Sequence, residues 1–194
     1  MTSGSNPSAE IRDEPFEVDV ARSETVYNGY VWDVREDTFR YGPTSLVRHY
    51  LDHTGAVAVV ALDDDDRVLL IQQYRHPIGT RDWEIPAGLL DIEGEDPRDT
   101  AVRELAEEAD LVADTWEELG SFTPSPGGSS ELIHIFLATG VRAATETFER
   151  RDEEADIRTA WVPLDDVVQA IVEGHLHNAA MTIGVLLAAR RRSA

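Results

Sequence analysis

Cysteine and lysine are both missing from this 194-residue chain, and each absence closes off chemistry. Without cysteine there are no disulfides, no thiolate metal sites and no cysteine nucleophile. Without lysine there is no Schiff-base mechanism, and no Walker-type phosphate loop, whose lysine reaches the β- and γ-phosphates. Long apolar runs are also missing, and no stretch approaches the roughly 18 residues of a membrane-spanning helix. Residues 1–15 carry neither a basic start nor an apolar stretch, so they do not read as a secretory signal, and a cytoplasmic location is expected. Positive charge is scarce: seventeen arginines face 38 acidic residues, for a formal net charge of −21. Such a surface repels nucleic acid and anionic membranes, which are bound through basic patches, so neither partner is expected. The charge is spread along the whole chain. That suits a halophilic protein in a salt-rich cytoplasm, where screening relieves self-repulsion. The blander alternative is an ordinary acidic enzyme.

The apolar fraction of 42% supplies enough material for one core. Residues 1–14 are polar and read as a disordered tail. Residues 15–50 form an N-terminal β region, with strand-like patterns at 16–20, 30–34 and 45–50. Residues 51–194 form the main domain. Within it, 55–62 is a continuous apolar run of strand length, hence a buried strand. The four aspartates 63–66 make a turn, and 67–74 returns as the hairpin partner. A short strand at 82–86 is stopped by Pro86. Asp96 is a good N-cap, Pro97 suits the first helical position and Asp99 favours the first turn, so a helix runs to Asp110. Strands follow at 117–122 and 132–138, then an exposed charged loop at 146–156, a strand at 159–162 and helices at 164–173 and 178–191. Strands on both sides of a central helix predict an α/β (α+β) fold, with a mixed sheet packed between helices.

Glu104, Glu107 and Glu108 fall at i, i+3 and i+4 of the central helix and share one face, beside an apolar arc of Ala101, Val102, Leu105 and Ala109. Like charges at that spacing oppose the helix. A hard divalent cation with oxygen ligands, Mg²⁺ or Mn²⁺, would compensate them, as would Arg103. A solvated acidic face on an acidic protein is the plainer explanation of the same residues. Upstream, Pro86-Ala87-Gly88 weighs towards the metal: Gly88 permits unusual backbone geometry where the strand turns, and the Ala87 carbonyl could point at the same cation.

The run Gly88-x6-Glu95-x7-Arg103-Glu104-Leu105-x-Glu107-Glu108-x-Asp110-Leu111 resembles the Nudix box, G-x5-E-x7-R-E-U-x-E-E-x-G-U. Two departures stand out: one extra residue before Glu95, and Asp110 in place of the closing glycine. The resemblance covers residues 55–186. It implies a Nudix fold and metal-dependent hydrolysis of a pyrophosphate. The segments 73–76, 83–91 and 173–179, together with Pro126, are similar to the ADP-ribose pyrophosphatase branch. That implies cleavage of ADP-ribose to AMP and ribose 5-phosphate. Another nucleotide sugar or a dinucleoside polyphosphate is the alternative, and a non-catalytic ligand sensor a further one.

By this resemblance Glu104 and Glu108 are the main ligands for Mg²⁺ or Mn²⁺, with Glu107 and the Ala87 carbonyl completing the set. Glu95 and Arg103 form a supporting ion pair, with Gly88 beside them. The general base comes from the late acidic loop, with Glu153 first and Glu154 second; a merely acidic surface loop is the plain alternative there. Arg75 is a candidate for the phosphates. Trp83 is a candidate adenine platform or simply a core residue, and Glu84 an acceptor for an adenine amine. Glu131 resembles a position near the terminal ribose. His175 and His177 alternate like a metal pair but read as surface residues. The branch implies a homodimer whose N-terminal antiparallel sheet, carrying Tyr30, Trp32 and Arg48, completes the sites.

Overall fold

The computed structural model describes residues 11–145, 148 and 156–193. The expected tail lies largely outside these residues. The chain divides into two compact units, Met1–Tyr50 and Leu51–Ala194.

The first unit is an antiparallel sheet of β1 (Asp19–Tyr27), β2 (Asp33–Tyr41) and β3 (Thr44–Asp52), in that order. Two strands start later in the chain than their sequence patterns suggest. Residues 30–32 belong to the turn before β2. Asp33 closes that turn by accepting from the Gly29 N–H and from Asn28 Nδ2, both at 3.2 Å. Tyr30 and Trp32 are therefore exposed on a turn and not in a strand. Apolar side chains along this sheet, among them Val20, Val26, Tyr27 and Val47, are also exposed.

Among the described residues, the second unit holds two larger sheets and one two-residue pair. One has the order β7 (Ala87–Leu89), β4 (Ala56–Ala61), β10 (Ile133–Thr139), β9 (Thr115–Phe122). It is mixed, because β10 runs parallel to β4 while β7 and β9 are antiparallel to their neighbours. The other is antiparallel, in the order β12 (Arg158–Pro163), β5 (Arg67–Arg75), β6 (Thr80–Glu84). A two-residue pair, β8 (Leu111–Val112) with β11 (Arg142–Ala143), follows the central helix.

All six residues of β4 are buried, as its unbroken apolar run requires. Alternate residues serve opposite layers. Val57, Val59 and Ala61 pack with Ala101 and Leu105 of α1 (Pro97–Ala109). Ala58 and Val60 pack with Leu164 and Val167 of α2 (Leu164–Val172) and with Met181, Val185 and Ala188 of α3 (Ala179–Arg192). The sheet is thus sandwiched between helices. Gly184 lets α3 lie close: a Cβ there would meet Val60 Cγ2 at 2.8 Å.

One local expectation fails. β5 is not a laddered hairpin partner of β4; a single bridge, Leu62 to Val68, joins them before β5 enters the second sheet between β12 and β6. Asp66, in the left-handed region at φ 59°, turns the chain away. Its carbonyl accepts from the Leu164 N–H at 3.0 Å, tying the turn to α2.

Candidate active site

The carboxylates are placed by α1, and α1 by its ends. Asp96 caps the N-terminus, accepting from the Arg98 N–H at 2.9 Å, and Pro97 opens the first turn. Asp110 ends the helix at φ 54°, ψ 38°, the left-handed geometry that aspartate tolerates better than most residues. Ala101 and Leu105 are fully buried against the sheet. The adjoining edge of the helix turns Glu104 and Glu108 towards β7.

Glu108 is 5% exposed, and its Oε2 accepts from the Ala87 N–H at 2.8 Å. Glu104 packs directly on Gly88: a Cβ at that position would lie 2.0 Å from Glu104 Cδ and 2.2 Å from its Oε1. Gly88 is not among the glycines with positive φ. The expectation of unusual backbone geometry at Gly88 is therefore corrected. Its hydrogen matters for space, because it makes the cradle in which the Glu104 carboxylate sits.

Arg103 is the hub of the cluster. Its guanidinium reaches Glu104 Oε1 at 2.7 Å, Glu95 Oε2 at 3.1 Å, Glu107 Oε2 at 3.3 Å and Asp91 Oδ1 at 3.6 Å. Burial works against its charge, yet the surrounding carboxylates hold its pKa above the ordinary value. Its Nε is buried without a hydrogen-bond partner. Glu95 also accepts from the Thr100 hydroxyl at 2.8 Å, and Arg103 and Thr100 together keep its carboxyl below the usual range. Burial pushes the Glu104 carboxyl up to about 7, against the pull of Arg103.

These residues fit a hard cation. The donors are carboxylate oxygens, the type that Mg²⁺ and Mn²⁺ prefer, and one of them lies in a cradle that any larger residue at position 88 would fill. Among the described residues, no three acidic or histidine side chains converge as they stand into a metal-holding group; Arg103 is the cation they contact here.

Beside this cluster, Arg75 forks onto Glu84, with Nε to Oε1 at 2.7 Å and Nη2 to Oε2 at 2.6 Å. That hydrogen bonding raises the Arg75 pKa against burial, and the Glu108 charge adds to it. Glu84, read from the sequence as an acceptor for an adenine amine, is 2% exposed with both oxygens engaged. Trp83 is half-buried and packs against the core. Glu131 sits just before β10, partly exposed. Arg48 lies on β3 in the first unit, exposed, its Nη1 donating to the Val47 carbonyl at 2.8 Å. His175 and His177 are exposed. Glu153 and Glu154 lie outside the described residues.

Sequence reading gave no role to Thr100, Gln73 or Asp91. Gln73 is 5% exposed and extends an Nε2 to Glu84 at 3.5 Å. Its signal was available: a glutamine pair ending the buried apolar run of β5. Asp91 stood in the segment 83–91 but without an assigned contact, and Thr100 carried no signal; each acts through one contact with the Glu95–Arg103 pair.

Comparison with known proteins agrees with this architecture. The NUDIX domain model matches residues 52–182. A Mycobacterium tuberculosis protein named ADP-ribose pyrophosphatase is 41% identical over 84% of this chain and 79% of its own length. A Bacillus subtilis protein of the same name is 33% identical over 80% of this chain and 84% of its own. A methanol dehydrogenase activator from Bacillus methanolicus is 36% identical over 88% of this chain and 91% of its own length. A solved structure titled as an ADP compounds hydrolase superposes with a TM-score of 0.75 over 92% of this chain and 96% of its own, at 19% identity.

Proposed function

The chain belongs to the Nudix family of pyrophosphohydrolases, and from that premise we propose that it hydrolyses ADP-ribose to AMP and ribose 5-phosphate. The observation that carries the reading is the Gly88 cradle, which keeps Glu104 beside a Glu108 that is itself tied to the Ala87 N–H.

Glu104 and Glu108 are assigned as the main ligands of Mg²⁺ or Mn²⁺, with Glu107 and the Ala87 carbonyl completing the set. An ion held there would neutralise the pyrophosphate oxygens and make the attacking water more acidic. Arg103 is the counter-charge of the same carboxylates, and Glu95, itself held by Thr100, keeps it beside the helix. Arg75, oriented by the buried Glu84, offers a half-exposed guanidinium to the phosphates. Trp83 and Glu131 complete the assigned substrate set of the second unit, while Glu84, buried with both oxygens on Arg75, positions that arginine and is not left to meet an adenine amine. Glu153, with Glu154 second, takes the proton from water as its oxygen bonds to phosphorus. The bridging P–O bond then breaks, leaving AMP and ribose 5-phosphate.

A substrate panel with Mg²⁺ tests the reading. ADP-ribose should be cleaved ahead of other nucleotide sugars and dinucleoside polyphosphates; preference for one of those sinks the specificity. Glu153→Gln should lower kcat by about 10²-fold or more with little change in KM, because a base acts in the transition state. An effect confined to Glu154→Gln moves the base by one residue. The reading also includes a homodimer formed through the first unit, and a salt-rich cytoplasm matched to the acidic composition. Sedimentation in high and low salt examines both.

A further inference from the structure

The end of β3 and the residue after it hold the glycine-rich loop between β9 and β10. The Leu51 N–H donates to the Gly128 carbonyl at 2.9 Å, and the Leu51 carbonyl accepts from the Ser130 N–H at 3.0 Å. The His53 N–H donates to Ser130 Oγ at 2.8 Å. Ser129 Oγ accepts from the Glu131 N–H at 3.1 Å. The loop that ends on Glu131 is thus fixed along its backbone by residues 51–53, and one side chain reaches further. His53 is almost fully buried, its side chain 4% exposed. Its Nδ1 accepts from the Gly55 N–H at 2.9 Å. A ring nitrogen that accepts bears no hydrogen, so the ring hydrogen sits on Nε2. Nε2 faces Glu131 Oε1 at 3.5 Å, and the Glu131 side chain is 22% exposed.

We propose that His53 is a positioning residue that aims Glu131 at the sugar-phosphate end of the substrate; the proposal rests on the reading of Glu131 as a substrate contact. A carboxylate on a loop rotates among several rotamers, and a sugar hydroxyl is recognised only when one of them is held. The backbone anchors fix where Glu131 starts, and the buried imidazole fixes where its carboxylate ends. The exposed part of the carboxylate is left to accept hydrogen bonds from ligand hydroxyls.

His53→Asn separates the two functions of the side chain. Asparagine can accept from the N–H two residues on, as an Asx turn does, so the Gly55 contact is kept; it is too short to reach Glu131. The probes are the two products, used as inhibitors of the full-length enzyme. His53→Asn should raise the inhibition constant of ribose 5-phosphate roughly tenfold, the scale of a lost hydrogen bond to a charged group. The constant for AMP should stay unchanged. In a Glu131→Ala background His53→Asn should have no further effect. ¹⁵N spectra of the wild-type ring should report Nδ1 bare and Nε2 protonated, with the Nε2 resonance moving in Glu131→Ala. If Glu131→Ala weakens ribose 5-phosphate and His53→Asn does not, the proposal fails alone. If Glu131→Ala leaves ribose 5-phosphate binding unchanged, the reading of Glu131 fails and the proposal with it. Equal weakening of AMP and ribose 5-phosphate by His53→Asn also overturns it, since a general loosening of the fold does that.

Discussion

Replacing Gly88 with alanine adds one methyl group, and the structure sets its consequence. The new Cβ would stand 2.0 Å from Glu104 Cδ, 2.2 Å from Oε1 and 2.5 Å from Cγ. Non-bonded carbon atoms separate at about 3.5–4.0 Å, so the carboxylate has to retreat by more than about 1 Å. The backbone has no reason to yield, because Gly88 is paired with Val57 in the β4–β7 ladder and its φ suits any residue. Glu104 moves instead, and a displacement of about 1 Å in a reacting constellation costs on the order of 10²-fold in rate. Gly88→Ala should lower kcat by about that factor and weaken Mn²⁺ binding measured calorimetrically, while the metal-free protein unfolds at nearly the wild-type temperature. Added to Glu104→Ala, which removes the clashing group, the same substitution should cost little more. A Gly88→Ala enzyme with near-wild-type kcat would refute the cradle. So would a loss of equal size in the Glu104→Ala background.

Arg103→Met should destabilise the metal-free protein by about 3 kcal/mol, because Glu95, Glu104 and Glu107 lose their shared cation. Mg²⁺ should restore part of that loss in urea titrations, and a metal-independent cost of under about 1 kcal/mol would contradict the hub. Gly184→Ala should lower stability by about 1–3 kcal/mol through overpacking against Val60, Ile85 and Ile135, despite alanine's better helix propensity. A raised melting temperature would show that α3 has room. The Glu104 pKa gives a pH signature with a definite sign. Its folded value of about 7 lies above its ordinary 4.5, so the folded state binds the proton more tightly. In chelated protein this contribution is fully present below pH 4.5 and is lost as pH rises through 7. The stability of wild type relative to Glu104→Gln should therefore fall across that window, and a difference that does not vary with pH would rule out the burial.

Legibility from sequence followed the range of the interactions. α1 was readable almost to the residue, because Asp96, Pro97 and Asp110 act on backbone within one turn of themselves. β4 was readable because both its faces are apolar, and the three glutamates because helical periodicity alone groups them. The β12 partner of β5 was not readable. Val68 to Gln72 pair with residues 158–162, far along the chain, and the four aspartates looked like an ordinary hairpin turn. The function of Gly88 was legible as an irregularity but not in kind, since a glycine needed for space and one needed for positive φ are spelled alike. His53 gave no signal: only the folded loop brings it to Glu131, 78 positions later.

The extra residue between Gly88 and Glu95 shows how the cluster survives a change in spacing. The chain absorbs it before the helix starts, in a turn where Gly94 adopts φ 80° and the Glu95 N–H reaches the Ile92 carbonyl at 3.1 Å. Glu95 still arrives at both Arg103 and Thr100. Because Thr100 is fully buried on α1, Glu95 is referenced to the helix and not to the length of the loop. The insertion therefore changes the path without changing the endpoint. The same logic explains why Asp91 can also approach Arg103: the turn folds the loop back over the guanidinium. Four carboxylates around one arginine would be a poor arrangement for stability alone. It would suit the proposed metal site, in which Arg103 would hold the carboxylates until a second cation arrived and stay paired with Glu95 afterwards.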